Sequence, residues 1–340
     1  AFHLANLGHN IVLIDPELNQ TIKTNNTLSG SKTSLGVLMG NTFRRSSGRG
    51  WRLRQRSMKL WPELIKKIKT PEIDLKLDTP LIQLASGSKE MELITKLSKE
   101  RANLGIKLLE SNLTMPKDRQ WPNNQYGGLI SSNDGRIDPI GLLQSLMIGL
   151  NKLQVSTINS KALSISCFST LQEKKWKIIL DNSAILKKDY VIICSALGTT
   201  ELLKSIGYEY LIEAVLGQVI ELVLEEDHKN WNKWPGVLVS NGINLIPQKN
   251  NELLIGATLE PGETPNIQQL YELKKLNGNA PEWLSNAHIK NHWYGLRAKP
   301  QKQAAPLLEV LEPGLILNTA HYRNGVLLAP ACAEWVSEQI

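Results

Sequence analysis

The sequence predicts an α/β fold in which a unit built on a parallel sheet is joined to a second domain carrying an antiparallel sheet. Three observations carry this. The opening stretch AFHLANLGHNIVLIDP sets Phe2, Leu4, Ala5 and Leu7 at helical spacing, then Gly8, then an apolar run over 10–14 that closes at Asp15 and Pro16. It reads as helix, tight turn and buried strand with an acid at the strand's end. DYVIICSA, residues 189–196, is a near-continuous apolar run, the pattern of a strand covered on both faces in a parallel sheet. Strand-like segments at 216–224, 237–247 and 252–259 then follow one another with no helix between them, the mark of a meander and of an antiparallel second domain.

Composition bounds the answer. A chain of 340 residues with 41% hydrophobic and 21% charged residues suits a soluble globular protein of two domains or one large α/β unit. No apolar stretch reaches the ~18–20 residues that cross a bilayer. Cys167, Cys194 and Cys332 are far apart and unclustered, which argues against zinc ligation and a disulfide framework and makes the cytoplasm the expected compartment. The net charge of +7 is concentrated in RRSSGRGWRLRQR, residues 44–56, with six arginines around Trp51. Without a nucleic-acid-binding fold to support it, this stretch favours a solvated helix face over a nucleic-acid patch.

The elements follow in order. SGSKTSLGVLMG, residues 29–40, is a small-residue loop whose backbone N–H groups can approach a ligand. Residues 51–68 place Leu53, Met58, Leu60, Trp61, Leu64, Ile65 and Ile68 on one helical face. Residues 75–128 mix short strands with a charged helix at 89–104, and 127–139 form a strand and turn. Asp138 and Pro139 start a helix over 140–153 as N-cap and first helical residue. Strands are expected at 155–165 and 176–180. The apolar run ends in the small residues Ser195, Ala196 and Gly198, at the sheet edge where open α/β folds bind ligands. Residues 315–330 read as strand, polar turn and the start of a closing helix. In a dinucleotide-binding βαβ unit an acid such as Asp15 holds a ribose hydroxyl about 20 residues after the glycine turn; the plainer alternative is a turn residue. Counting back from Asp15 passes the first residue. The expectation is therefore a chain that has lost its first strand and GxGxxG loop upstream of Ala1.

Taken together, AFHLANLGHNIVLID, SKTSLGVLMG, GRIDP, LGQVIEL, IPQKNNELLIGATLEPG, YGLR and AHYRNGVLLAP resemble, in order and over nearly the whole chain, the flavin-dependent D-amino-acid oxidase superfamily. Within it they resemble the glycine oxidase branch, whose product feeds the thiazole ring of thiamine. AHYRNGVLLAP is the most specific, resembling that family's G-H-x-R-N-G-x-x-L-A-P turn. The resemblance implies a Rossmann-like FAD-binding domain, here without its first strand and GxGxxG, interleaved with an α+β substrate domain on an antiparallel sheet. The flavin domain would comprise 1–75, 133–215 and 290–340, and the substrate domain 76–132 and 216–289. It further implies that Asp15 and Pro16 lie at the adenosine ribose, that Ser31, Gly36 and Val37 approach the pyrophosphate and isoalloxazine, and that Ala162 meets the adenine. His321, Tyr322, Arg323, Asn324, Gly325, Val326 and Leu327 would set backbone N–H groups at the flavin's pyrimidine edge, where charge develops on reduction. Independently of any family, Arg, Asn and Gly in one turn before an apolar helix suggest an anion site.

Arg297 of YGLR resembles the family's substrate-carboxylate arginine, with Arg323 as a second guanidinium. Its neighbours Trp293, Tyr294 and Leu296 argue for partial burial, where an arginine needs an anionic partner. The implied reaction is oxidative deamination of a small, glycine-like amino acid by hydride transfer to flavin, with no acid–base residue required and O₂ as electron acceptor giving H₂O₂. The implied partners are an amino acid or amine and O₂, with no membrane; a homo-oligomer is left open. There are departures. Asn244 stands where the branch places a tyrosine, the Ser195-Ala196-Leu197-Gly198 turn lacks a tryptophan, and Ala298-Lys299 and Gln303-Ala304-Ala305 replace Pro and Asp-Gly positions. They keep open a secondary-amine (sarcosine- or proline-like) oxidase or dehydrogenase and a non-catalytic remnant, and the arginine-rich stretch 44–56 keeps open a flavoprotein acting on a modified tRNA uridine.

Overall fold

The computed structural model describes residues 1–18, 29–111, 121–122, 125–169, 174–224, 231, 234–249 and 251–340. Part of the segment expected to mix strands and helix over 75–128, and Asn250 of the IPQKNNELLIGATLEPG motif, lie outside the described residues.

The opening stretch forms helix Phe2–Asn6, ended by Gly8 at φ +90°, then strand Val12–Ile14. That strand runs parallel to Ser156–Ile158. The apolar run 189–196 contributes a shorter strand than expected, Val191–Ile193, parallel to Leu315–Thr319, with Leu307–Glu312 antiparallel on the far side. It stops early because Ala196 turns to φ +50° and gives its N–H to Thr319 Oγ1 at 3.0 Å. The strands expected through 155–165 fall in two different sheets: Ser156–Ile158 beside Val12–Ile14, and Ala162–Ser169 in a three-stranded meander with Lys174–Leu180 and Ile185–Lys188. The break falls at Ser160, whose hydroxyl bonds Asp181; a tertiary partner of that kind leaves no mark in the apolar periodicity.

Among the described residues the largest sheet has nine strands, including Leu81–Leu84, Ile212–Val223, Val237–Ser240, Ile243–Pro247, Glu252–Gly256 and His288–Pro300. It is mixed where an antiparallel sheet was expected: Leu81–Leu84 pairs parallel with Val237–Ser240, and the other pairings are antiparallel. Those two strands are more than 150 positions apart, so nothing local dictates their relative direction. The segment 237–247 folds as a hairpin through Asn241 and Gly242, both at positive φ, the preferred chemistry of a two-residue turn.

Strand alternation gives this sheet two apolar faces. Ile82, Leu238, Leu245, Leu253 and Ile255 pack with Leu270, Leu273 and Leu284 from helices Ile267–Lys275 and Glu282–Asn286. Leu81, Val237, Val239, Ile246 and Leu254 pack instead with Leu35, Val37 and Met39. The loop read as ligand-facing is thus pressed between this sheet and a helical layer. In that layer Trp61, Ile68, Leu142, Leu327 and Leu328 join helices Gly48–Ile68, Pro139–Lys152 and Gly325–Ser337, and buried Trp61 donates Nε1–H to Leu327 O at 3.1 Å. Asp138 caps its helix as expected, accepting from Gly141 N–H at 2.9 Å.

The basic stretch is partly consumed inside the fold. Arg54 is buried over the Phe43 ring at 3.7 Å, Arg49 donates to Pro306 O at 2.7 Å, and Arg56 grips Glu334 through two bonds of 2.5 and 2.6 Å. Among the described residues no helix is long and apolar enough to cross a membrane.

Candidate active site

A cavity of about 1700 Å³ lies between the parallel strands and the nine-stranded sheet. Every residue singled out from the sequence lines it: Asp15, Pro16, Ser31, Gly36, Val37, Ala162, Asn244, Arg297 and the turn from His321 to Leu327.

Arg297 projects from strand His288–Pro300 across its partner strand. Nη1 donates to Leu216 O at 3.1 Å and Thr258 O at 3.2 Å, and the guanidinium lies flat on Gly217, where an added Cβ would come within 2.1 Å of Nη2. Only glycine leaves room for that plane. Nη2 has no hydrogen-bond acceptor among the described residues and is not sealed in protein. Burial pushes the Arg297 pKa down, and the positive charge of Arg323 adds to the push; both are eased by an anion. Behind the arginine, Glu260 is buried and accepts from Gln218 Nε2 at 2.9 Å, from Asn266 N–H at 2.9 Å and from the Thr258 hydroxyl. This network fixes the segment that supplies the Thr258 carbonyl. Asn244 donates Nδ2–H to Gly256 O at 3.0 Å.

The loop 35–45 is held by groups that the sequence reading missed. Asp134, fully buried, accepts from the N–H groups of Gly40, Asn41 and Thr42 and from Asn41 Nδ2, at 2.9 to 3.1 Å. Burial pushes its pKa up, and these donors pull it back. Arg136, from the GRIDP motif, donates Nε–H to Leu35 O at 2.9 Å. Arg101, also buried, caps the carbonyls of Asn41 and Phe43, both at 2.5 Å, and stacks over Trp51. Gly36 takes φ +70° against Ile137 O, which an added Cβ would approach to 1.9 Å. Its glycine requirement is met by protein packing. Asn-Asp-Gly at 133–135 signals a turn, but nothing in it announces contacts some 90 residues back along the chain.

At the turn before helix Gly325–Ser337, Ala320 and Tyr322 hold φ of +50° and +56°, a costly conformation for side chains of this kind. Tyr322 N–H to Ala298 O at 3.1 Å ties the turn to the Arg297 strand. The helix's first bond is Leu328 N–H to Asn324 O, so the N–H groups of Gly325, Val326 and Leu327 have no partner within the helix. Burial pushes the His321 pKa down to about 4, so its ring is neutral at neutral pH. At the cavity's other end, Asp15 is exposed and its Oδ1 accepts from Glu17 N–H at 2.7 Å, a local turn contact that leaves Oδ2 available.

The cavity fits a large, polar-edged planar group. Ser34, Thr42 and Asn318 line it, and Ser34 Oγ, Thr42 Oγ1 and Asn318 Oδ1 are buried without a hydrogen-bond partner among the described residues, a cost that a ligand atom reaching them would relieve. Two hydroxyls that donate or accept, an amide oxygen that accepts and the N–H donors at the helix start together suit the mixed polar edge of a flavin.

Comparison with known proteins gives the same family. The chain is 32% identical to the glycine oxidase of Pseudomonas putida over 155 residues, 44% of this chain and 41% of that relative. The chain thus spans about two-fifths of the length of such curated glycine oxidases. Its fold superimposes on the crystal structure of glycine oxidase from Geobacillus kaustophilus with a TM-score of 0.80 at 20% identity, covering 99% of this chain and 90% of the other. With L-proline dehydrogenase from P. horikoshii the TM-score is 0.78 at 15% identity, covering 99% and 89%. The family model described as DAO, FAD dependent oxidoreductase, matches residues 1–339, and the chain belongs to that FAD-dependent family.

Proposed function

We propose that this protein oxidises a small, glycine-like amino acid at the carbon bearing its nitrogen, with Arg297 holding the substrate carboxylate. The observation that carries this is the Arg297 guanidinium: clamped by two carbonyls, seated on Gly217, lining the cavity, with Nη2 bonded to no acceptor among the described residues. A fixed planar fork suits bidentate carboxylate capture and orients the rest of the molecule. When bound, FAD supplies the two-electron acceptor, returned to its oxidised form by O₂ with release of H₂O₂. The N–H groups of Gly325, Val326 and Leu327 would stabilise negative charge on the cofactor's ring edge. Ser31, Gly36 and Val37 would border the cofactor, and Asp15, Pro16 and Ala162 its adenosine end. Neutral His321 adds no positive charge of its own.

The test is the kinetics of Arg297→Lys in the flavin-loaded protein, with an amino acid and its decarboxylated amine. Lysine keeps the charge and loses the fork. The expected loss of about 2–4 kcal/mol is a fall of roughly 30- to 1,000-fold in kcat/KM for the amino acid, with little change for the amine. Equal losses for both would assign Arg297 to the cofactor or the fold. Glycine, sarcosine and proline in the same assay separate primary-amine from secondary-amine oxidation.

A further inference from the structure

Beside the Arg297 end, a side cavity of about 450 Å³ joins the main one, sharing Arg44, Gln83, Asn244 and Arg323 with it. Arg44 sits on the pinned loop. Asp134 holds the backbone before it, and Arg101 holds the carbonyls on either side of it, Phe43 O at 2.5 Å and Arg45 O at 3.3 Å. Its backbone is therefore presented at the cavity junction from a rigid support, while its side chain is exposed and makes no hydrogen bond or ion pair among the described residues. Arg323 likewise has no acceptor among them. The side cavity contains one carboxylate, Glu90, and it is already engaged, accepting from Gln83 Nε2 at 3.0 Å and from the Ser86 N–H and hydroxyl at 3.0 and 2.5 Å. Arg44 feels the Glu90 charge across the side cavity without a hydrogen bond or close ion pair to it, and Glu90 is held by Gln83 and Ser86. Two guanidiniums against this one carboxylate leave the junction with an excess of positive charge that an anion would balance.

We propose that the same site also takes small amino acids with a second carboxylate, received by Arg44 together with Arg323, and prefers a short acidic side chain over a neutral one of similar size. This rests on the reading that Arg297 holds the first carboxylate. An exposed guanidinium is screened by solvent and salt, so the expected discrimination is about tenfold, set by charge-assisted hydrogen bonding to a fixed position.

The experiment compares aspartate with alanine, each as both enantiomers, in the flavin-loaded native protein and in Arg44→Gln. The ratio of kcat/KM for aspartate over alanine is expected above 10 in the native protein and at least tenfold lower in the variant. A ratio below 1, or one unchanged by Arg44→Gln, overturns the proposal. Calorimetry with succinate and propionate, which lack the amine and cannot be deaminated, reads the same contact without turnover. Succinate is expected to bind at least tenfold more tightly than propionate, and to lose that advantage in Arg44→Gln. If neither amino acid is oxidised but the succinate preference is present and depends on Arg44, the dicarboxylate site stands and the proposed oxidation falls. If succinate shows no preference, the site falls whatever the oxidase assay gives.

Discussion

At the Arg297 end of the cavity the wall is part of a nine-stranded sheet, and the loop facing it is tied down by buried Asp134, Arg101 and Arg136. At the Asp15 end the wall rests on two paired strands of three residues each, Val12–Ile14 and Ser156–Ile158, and the carboxylate itself is exposed. The first end combines buried polar groups with many long-range bonds, the second a few local ones. Local stability follows such differences in burial and bonding. On the proposed reading, the first end would hold a small molecule at fixed geometry and the second would accept a group through a few solvent-exposed contacts. Substitutions should therefore be costly at the first end and mild at the second.

The largest effect is expected at Asp134. Asp134→Ala leaves the N–H groups of Gly40, Asn41 and Thr42 and the Asn41 amide without their acceptor in a buried site. Removing one partner of such a network costs about 3–5 kcal/mol. Urea unfolding should show that loss, and Asp134→Asn, which keeps one acceptor oxygen, should fall between. A change below about 1 kcal/mol in the alanine variant would mean that loop 40–42 holds itself and that the contrast between the two ends is overstated.

Gly217→Ala comes next. Its methyl group would displace the Arg297 guanidinium, so kcat/KM for the amino acid should fall by roughly 30- to 150-fold, about 2–3 kcal/mol, while flavin absorbance holds. The effect should vanish in an Arg297→Ala background, because a clash needs both partners. Additive losses in the double variant would show that Gly217 acts on the sheet rather than on the arginine.

These two residues also mark the limit of what the sequence reveals. Arg297 could be found because an arginine among Trp293, Tyr294 and Leu296 is anomalous in itself, and YGLR and AHYRNG carry local chemistry in a few adjacent positions. The Asp138 cap and the glycine after the first helix were legible for the same reason: cause and consequence are neighbours in the chain. Gly217 was invisible because its requirement comes from a side chain on the paired strand, 80 positions later. Asp134 was invisible because its partners lie across the fold. The parallel pairing of Leu81–Leu84 with Val237–Ser240 and the passage of 156–169 between two sheets escaped for the same reason. Periodicity reports which face is buried, not which strand lies beside it.

Asp15 is the mildest case and the sharpest test of the contrast. Its Oδ1 already serves Glu17 N–H, so the same carboxylate offers both a turn contact and a ribose contact, and the sequence alone left both open. Asp15→Ala removes both; Asp15→Asn keeps an acceptor for the turn and loses the charge that a ribose hydroxyl prefers. Being exposed, neither should change stability by more than about 0.5 kcal/mol. A ribose role predicts that FAD dissociates about 3- to 10-fold more readily from both variants, the weight of one solvent-exposed charge-assisted bond of about 1 kcal/mol. Flavin content after gel filtration reads this directly. If only Asp15→Ala loses flavin, the turn is what matters and the ribose is held by backbone groups around it. If neither does, Asp15 is a turn residue alone. If either variant loses flavin by 100-fold or more, the Asp15 end anchors the cofactor as firmly as the Arg297 end fixes the substrate, and the two ends are not different in kind.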